Sequence, residues 1–152
     1  MLEQDGLTAV GTMASNSNSI HCKGVLRVKR QTFQVPGRRP SPILNPAVRA
    51  GDLIWTAGHT GSDPATGQSP DDFDAQVRNT LDNVKAAVEA AGSSLASVVK
   101  VNIYLTDIGL RPAFNKIYLE YFPTDQPGRT CIGNAGFEGN TKVEVECVAV
   151  VE

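Results

Sequence analysis

Arg129 is the residue whose type and setting offer the sharpest chemistry. It follows Asp125-Gln126-Pro127-Gly128 and opens the β-forming run Arg129-Thr130-Cys131-Ile132. An arginine at such a junction stands at a sheet edge or mouth. There its planar guanidinium can hold a carboxylate through two parallel hydrogen bonds. The plainer alternative is a surface ion pair of little energetic consequence. Cys131 shares a strand face with Arg129. It is a candidate nucleophile, but no histidine lies nearby in sequence to activate it, and a buried structural cysteine is the plainer reading. Its backbone carbonyl could still position a water. Glu144 and Glu146, two apart in Val143-Glu144-Val145-Glu146-Cys147, share one face of a strand. One could orient Arg129 and one could hold or activate water, or both could belong to a solvated face. Their spacing alone does not indicate a glycosidase, because catalytic separation depends on placement across chains. His59, after Gly58, could titrate beside a pocket. Asn115 and Asn102 could hydrogen-bond a ligand or a neighbouring backbone. Lys29, Arg30, Arg38 and Arg39 form a local basic patch, which either attracts an anion or is simply solvated.

These residues need elements to hold them. Residues 1–24 carry no helix or strand period and read as a mobile or covering extension. The run 25–35 reads as one or two short strands stopped by Pro36-Gly37. Asp52–Gly58 is a strand, and Ala50-Gly51-Asp52 predicts a hairpin with the short apolar run before it. Phe73, Val77, Leu81, Val84 and Val88 recur at helical spacing, with Asp72 and Asp74 at the start and Gly92 at the end. Val98–Leu105 is a strand. Leu110, Phe114, Ile117, Tyr118 and Tyr121 mark a second helix ended by Pro123, and Val143–Val151 is a final alternating strand. The order is strands, helix, strand, helix, two strands. Two helices covering one face of a mixed sheet satisfy it. The other face then needs cover, with Trp55, Ile103 and Val145 as candidates for mixed burial, and packing against further copies would supply it.

Composition narrows the partners. The chain has 152 residues, 41% hydrophobic and 20% charged, which suits one domain with a real core, here residues 25–152. No apolar run is long enough to cross a bilayer, and the start Met1-Leu2-Glu3-Gln4-Asp5 lacks the pattern of a secretory signal. A net charge of −2 gives no broad field for nucleic acid. Three scattered cysteines without a CxxC argue against a disulfide framework or a zinc site and point to a cytoplasmic setting. Neither a GxGxxG nor a GxxxxGK segment is present, so nothing indicates a nucleotide cofactor.

The assembled pattern resembles the Rid family, also called YjgF or reactive-intermediate deaminases. The resemblance rests on Ala47-Val48-Arg49-Ala50-Gly51-Asp52, Trp55-Thr56-Ala57-Gly58-His59, Thr80–Gly92, Val99-Lys100-Val101, Phe114-Asn115-Lys116-Ile117-Tyr118, Pro127-Gly128-Arg129-Thr130-Cys131 and Lys142–Glu146. It implies a chorismate-mutase-like α/β fold and a homotrimer whose sheets form a central barrel, with active clefts between subunits. It implies a 2-iminobutanoate/2-iminopropanoate deaminase-like hydrolase that turns a carboxylate-bearing 2-amino unsaturated acid into a 2-oxo acid and ammonia, without metal or organic cofactor. In that reading Arg129 binds the substrate carboxylate, Glu144 places or activates water, and the backbone around Cys131 binds the imine nitrogen and the water. His59, Asn115 and Leu44 complete the substrate-binding set.

This sequence departs from the family pattern at the pocket edge. Leu44 falls near a family tyrosine and cannot donate its phenolic hydrogen bond. Ala57 and His59 replace a serine and a glutamine. These changes remodel the pocket edge and leave a different imine, a larger 2-amino unsaturated acid or another carboxylate-bearing substrate open, with ring-opened 2-aminomuconate as one class that the resemblance implies. Two other functions compete: a pathway cyclase, isomerase or hydrolase on a related carboxylate, and a non-catalytic trimer that binds a small ligand.

Overall fold

The computed structural model describes residues 28–152. The expected extension over 1–24 and the first residues of the 25–35 run lie outside the described residues. Seven strands and two helices follow in the order β1 (Arg30–Phe33), β2 (Ala47–Ala50), β3 (Leu53–Thr56), β4 (His59–Thr60), α1 (Phe73–Ala90), β5 (Val98–Leu105), α2 (Arg111–Tyr121), β6 (Gly128–Ile132) and β7 (Val143–Val150). They form one sheet in the order β1-β2-β3-β7-β5-β6, with β4 also paired to β7. Every pairing is antiparallel except β5 with β6. A parallel pair needs a crossover, and α2 supplies it. Gly51-Asp52 turns the β2–β3 hairpin, with Gly51 at φ +62° in the region glycine favours.

Helix α1 follows from its sequence. The Asp72 carboxylate accepts from the Ala75 amide at 2.8 Å, a cap contributing about 1 kcal/mol. Val77, Leu81, Val84, Ala87 and Val88 are buried in a core completed by Ile54, Val101, Ile103 and Val145. Cutting Leu81 back to alanine removes about 2–5 kcal/mol of stability. At the far end Gly92, at φ +87°, lets the chain leave the helix. Two buried amides interrupt the apolar stripe. Gln76 donates to the Pro70 and Asn140 carbonyls and accepts from the Lys142 amide. Asn83 donates to the carbonyls of Thr60 and Ser62. Unpaired, each would cost more than an apolar residue in its place; paired, they tie β4 and the approach to β7 onto α1.

Helix α2 starts after a 3₁₀ turn, Ile108–Leu110, and buries Phe114, Ile117 and Tyr118. The turn lies so close to the end of β6 that a Cβ at Gly133 would come within 2.7 Å of the Ile108 nitrogen.

Register divides the sheet into two unlike faces. Val101, Ile103, Val145, Cys147 and Ala149 face the helices, while Asn102, Tyr104, Glu144, Glu146 and Val148 face away. This corrects the expectation of mixed burial for three residues. Ile103 and Val145 are fully buried at 0% exposure, and only Trp55, at 42%, stands on the open face opposite Val48 and Val148. Helices α1 and α2 cover one face and leave the other bare, so burial follows the face and not the hydrophobicity of the residue.

Candidate active site

The terminal strand β6 carries Arg129 on the helix-covered face, in register with Val101. Its Nη1 donates to Asn115 Oδ1 on α2 at 2.8 Å, and its guanidinium carbon lies 5.0 Å from the centre of the Tyr118 ring. Tyr118 in turn stacks on Phe122 at 4.6 Å and tilts against Phe114 at 5.8 Å. The spacing 114, 118, 122 is one residue per helical turn, so a single stripe of α2 builds the aromatic platform. Cation–π contact and the Asn115 bond fix the guanidinium without occupying the rest of its fork. The free edge faces an open pocket of ≈ 280 Å³ lined by Asn115, Tyr118, Leu119, Gln126, Pro127 and Arg129.

Tyr118 was legible in the sequence only as a member of the apolar stripe. Its hydroxyl is buried with no hydrogen-bond partner among the described residues. Burial pushes its pKa up, with the Arg129 charge acting the other way.

Cys131 lies two residues along from Arg129 on the same face and is half-buried. Desolvation pushes its thiol pKa up, against the pull of Arg129 and Arg111. A raised thiol is the opposite of an activated nucleophile. What β6 offers instead is backbone: as a terminal strand it directs every second N–H and C=O away from the sheet.

A second constellation lies on the open face. Glu146 accepts from Asn102 Nδ2 at 3.0 Å and from the Tyr104 hydroxyl at 2.9 Å. Glu144, one pleat along, accepts no hydrogen bond and forms no ion pair among the described residues. Its carboxyl lies directly over Gly58, where any Cβ would overlap it. Burial first, and the neighbouring Glu146 charge second, raise its pKa above the usual carboxylate range. Such a group holds a proton more readily than an exposed glutamate.

His59 pairs with Val145 and so belongs to the helix-facing side, behind the backbone that carries Gly58. Its Nε2 lies 3.3 Å from the Pro46 carbonyl. Burial lowers its pKa; the Pro46 contact opposes this and the Arg38 charge adds to it. Arg38 is not part of a free basic patch, because its Nη2 donates to Asn83 Oδ1 at 2.8 Å. Lys29, Arg30 and Arg39 remain exposed. Leu44 is exposed on the loop that ends at Pro46, whose carbonyl also accepts from Ala57 N and so fastens that loop to β3.

The expected site residues therefore fall into two groups. Arg129, Asn115 and Cys131 stand together at the β6 edge with α2; Glu144 stands on the opposite face, beside Gly58. Neither glutamate orients Arg129 within one chain, as had been one option; Asn115 takes that place. Among the described residues no group of three or more His, Cys, Asp or Glu side chains could hold a metal, and no helix is long and apolar enough to cross a membrane.

Comparison with known proteins identifies the family and the fold. The family described as Endoribonuclease L-PSP matches residues 38–151. A 2-iminobutanoate/2-iminopropanoate deaminase of Escherichia coli K12 is 37% identical over 106 residues, covering 68% of this chain and 83% of that protein. A RutC family protein of Pyrococcus horikoshii is 36% identical over 116 residues, covering 74% and 92%. The crystal structure of E. coli TdcF with bound serine superposes with a TM-score of 0.73 at 29% identity, covering 80% of this chain and 99% of that one. The mixed sheet with two helices on one face is thus the chorismate-mutase-like architecture of these relatives, and the chain belongs to the Endoribonuclease L-PSP family, the Rid/YjgF proteins.

Proposed function

We propose that the protein is an enamine/imine deaminase that hydrolyses a carboxylate-bearing 2-imino acid to a 2-oxo acid and ammonia, working as a cytoplasmic homotrimer with its clefts between subunits. The observation that carries this reading is the braced Arg129 at an open pocket, in a chain 37% identical to a protein named for that reaction. The serine bound by TdcF is itself a small amino acid with a carboxylate. A fork held by Asn115 and Tyr118 binds such a carboxylate at little cost in side-chain entropy.

The reaction requires little more than placement. The enamine takes a proton at carbon to become the iminium. Water adds to the C=N carbon and gives up a proton, the amine nitrogen takes one up, ammonia departs with the C–N bonding pair, and the hydroxyl loses its proton as the C=O bond forms. Glu144, with its raised pKa, takes the proton from water and returns it to the leaving nitrogen. Outward backbone groups of β6 near Cys131 hold the imine nitrogen and the water. Holding both reactants in line supplies most of the rate gain.

Arg129 and Glu144 lie on opposite faces of one sheet, so a single chain does not present both to one small ligand. A second copy that lays its β6 edge against the open face supplies the missing half. The bare face, with Trp55, Leu53 and Val150 exposed, fits burial in such an assembly. The family description names an endoribonuclease, but the net charge of −2 does not favour a polyanion.

The test is release of ammonia and 2-oxo acid from freshly generated 2-aminoacrylate, followed against the uncatalysed rate. Acceleration that disappears in Arg129→Ala supports the reading. A folded protein with no acceleration removes it and favours a ligand-binding role.

A further inference from the structure

The pocket beside Arg129 has a chemical character of its own. Its volume of ≈ 280 Å³ lies near the lower end of small-ligand sites, which run from about 300 to 1,000 Å³. Each of its two side-chain amides has one atom engaged. Asn115 Oδ1 holds Arg129, and Gln126 Nε2 donates back to the Phe122 carbonyl at 3.2 Å. The Tyr118 hydroxyl is sealed in the interior, so Tyr118 gives the pocket only its ring. The apolar walls are Leu119, Pro127 and the edge of the largely buried Tyr118 ring, with Asn115, Gln126 and the free edge of Arg129 as the polar part.

Leu119 is the informative residue. It is 53% exposed on α2, where the other exposed side chains include the charged Arg111, Lys116 and Glu120. Helix packing does not require a leucine there, since Phe114, Ile117 and Tyr118 make the core contacts. A lone exposed leucine is ordinary on a surface. This one borders a concave site that also holds the free edge of Arg129.

We propose that the Tyr118–Leu119–Pro127 pocket is the subsite for the substrate's side group and selects an apolar group larger than methyl, branched alkyl or aromatic, on a 2-imino or 2-oxo acid whose carboxylate lies on Arg129. The identity of the substrate as an imine rests on the deaminase reading; the selectivity of the pocket does not. A ligand anchored at the Arg129 rim extends from its second carbon past the edge of the Tyr118 ring toward Leu119 and Pro127. Each methylene moved from water onto that surface strengthens binding. A methyl group is too short to cover Leu119.

The stable 2-oxo acids separate the two questions. Pyruvate and 4-methyl-2-oxopentanoate share the carboxylate and the carbonyl and differ in the side group. Calorimetric titration of the full chain is expected to show at least about tenfold tighter binding of the larger acid. In Leu119→Glu that preference falls below about threefold, because a carboxylate at the rim replaces the apolar wall. The ratio is the readout, since the new charge near Arg129 weakens both acids alike. Leu119→Ala, which adds no charge, reduces the ratio in the same direction, and circular dichroism establishes that both variants fold. Equal affinity for the two acids in the unaltered protein, or an undiminished ratio in both variants, overturns the assignment. Imine turnover is scored separately. Turnover without a size preference defeats the pocket assignment and leaves the deaminase reading intact. A size preference without turnover does the reverse.

Discussion

Arg129 and Glu144 are held in opposite ways. Arg129 is braced on both sides, by the Asn115 carbonyl oxygen and the Tyr118 ring, while its remaining donors stay free. Glu144 is braced by shape alone. It rests over Gly58, receives no donor from the described residues and bears the repulsion of Glu146. One charge is stabilised in place, as a binding group should be. The other is kept uncomfortable, as a proton-transfer group should be. The contrast teaches that the two groups are separate provisions of this sheet, on opposite faces, and under the proposed function a single chain holds half of each site.

Removing the uncomfortable charge is expected to have the largest effect. Glu144→Gln lowers kcat by about 10²–10⁴-fold, the usual range for an acid–base group, while affinity for stable 2-oxo acids changes far less. The same substitution leaves the melting temperature at pH 7 unchanged or raises it. The folded-state pKa of Glu144 is raised, so the native protein holds this proton more tightly than the unfolded chain does. The group's contribution to stability is therefore present in acid and lost as pH rises through the folded pKa. Thermal melts at pH 4 and pH 7 check the sign: the advantage of the variant shrinks in acid. A marked loss of stability at pH 7 would show that the Glu144 charge is stabilised after all.

Damage to the braced charge follows. Arg129→Lys keeps the charge and loses the fork, and is expected to raise KM about ten- to hundredfold with a smaller change in kcat. Steady-state kinetics on 2-aminoacrylate decides this, and an unchanged KM removes Arg129 from carboxylate binding.

Tyr118 gives the next effect and divides ring from hydroxyl. Tyr118→Leu removes the cation–π platform and raises KM about tenfold, mainly through a less ordered Arg129. Tyr118→Phe keeps the platform and discards a hydroxyl that has no partner, so its KM matches the unaltered protein and its melting temperature does not fall. A Phe variant as impaired as the Leu variant would assign the role to the hydroxyl.

The smallest effect is at His59. Burial lowers its pKa, so it favours the neutral form in the folded state, and its contribution is lost as pH falls through its unfolded value near 6.5. His59→Gln is expected to flatten the acid limb of the stability profile below about pH 6.5 and to change turnover little.

Much of this was legible in the sequence for a physical reason. Val77, Leu81, Val84 and Val88 recur at 3.6-residue spacing, and the alternation from Val143 to Val150 has a period of two, so each element declares which face it buries. Asp72 and Gly92 mark the ends of α1 because capping is local chemistry. The strand position of Arg129, after a Pro-Gly turn, was readable in the same way. What remained hidden depends on contacts between distant segments. The pairing of Arg129 with Asn115 spans a crossover, and Tyr118 looked like any core aromatic. Gln76 and Asn83 looked like polar interruptions of a helix, because all their partners but Pro70 lie 21 to 66 residues away. The placement of Glu144 and Arg129 on opposite faces follows from the register between β5, β6 and β7, which no local period encodes.

The most direct test of a site shared between copies is complementation. Arg129→Ala and Glu144→Gln are each inactive, and each retains the half that the other lacks. Dissociated and reassembled in equal amounts, the two variants form some clefts with an intact Arg129 facing an intact Glu144. Recovery of roughly a quarter of normal turnover is the expected result for random mixing in a cyclic assembly with one heterologous cleft per pair of neighbours. A mixture no more active than either variant alone, with mixed assembly verified by native mass spectrometry, would contradict a cleft built from two copies.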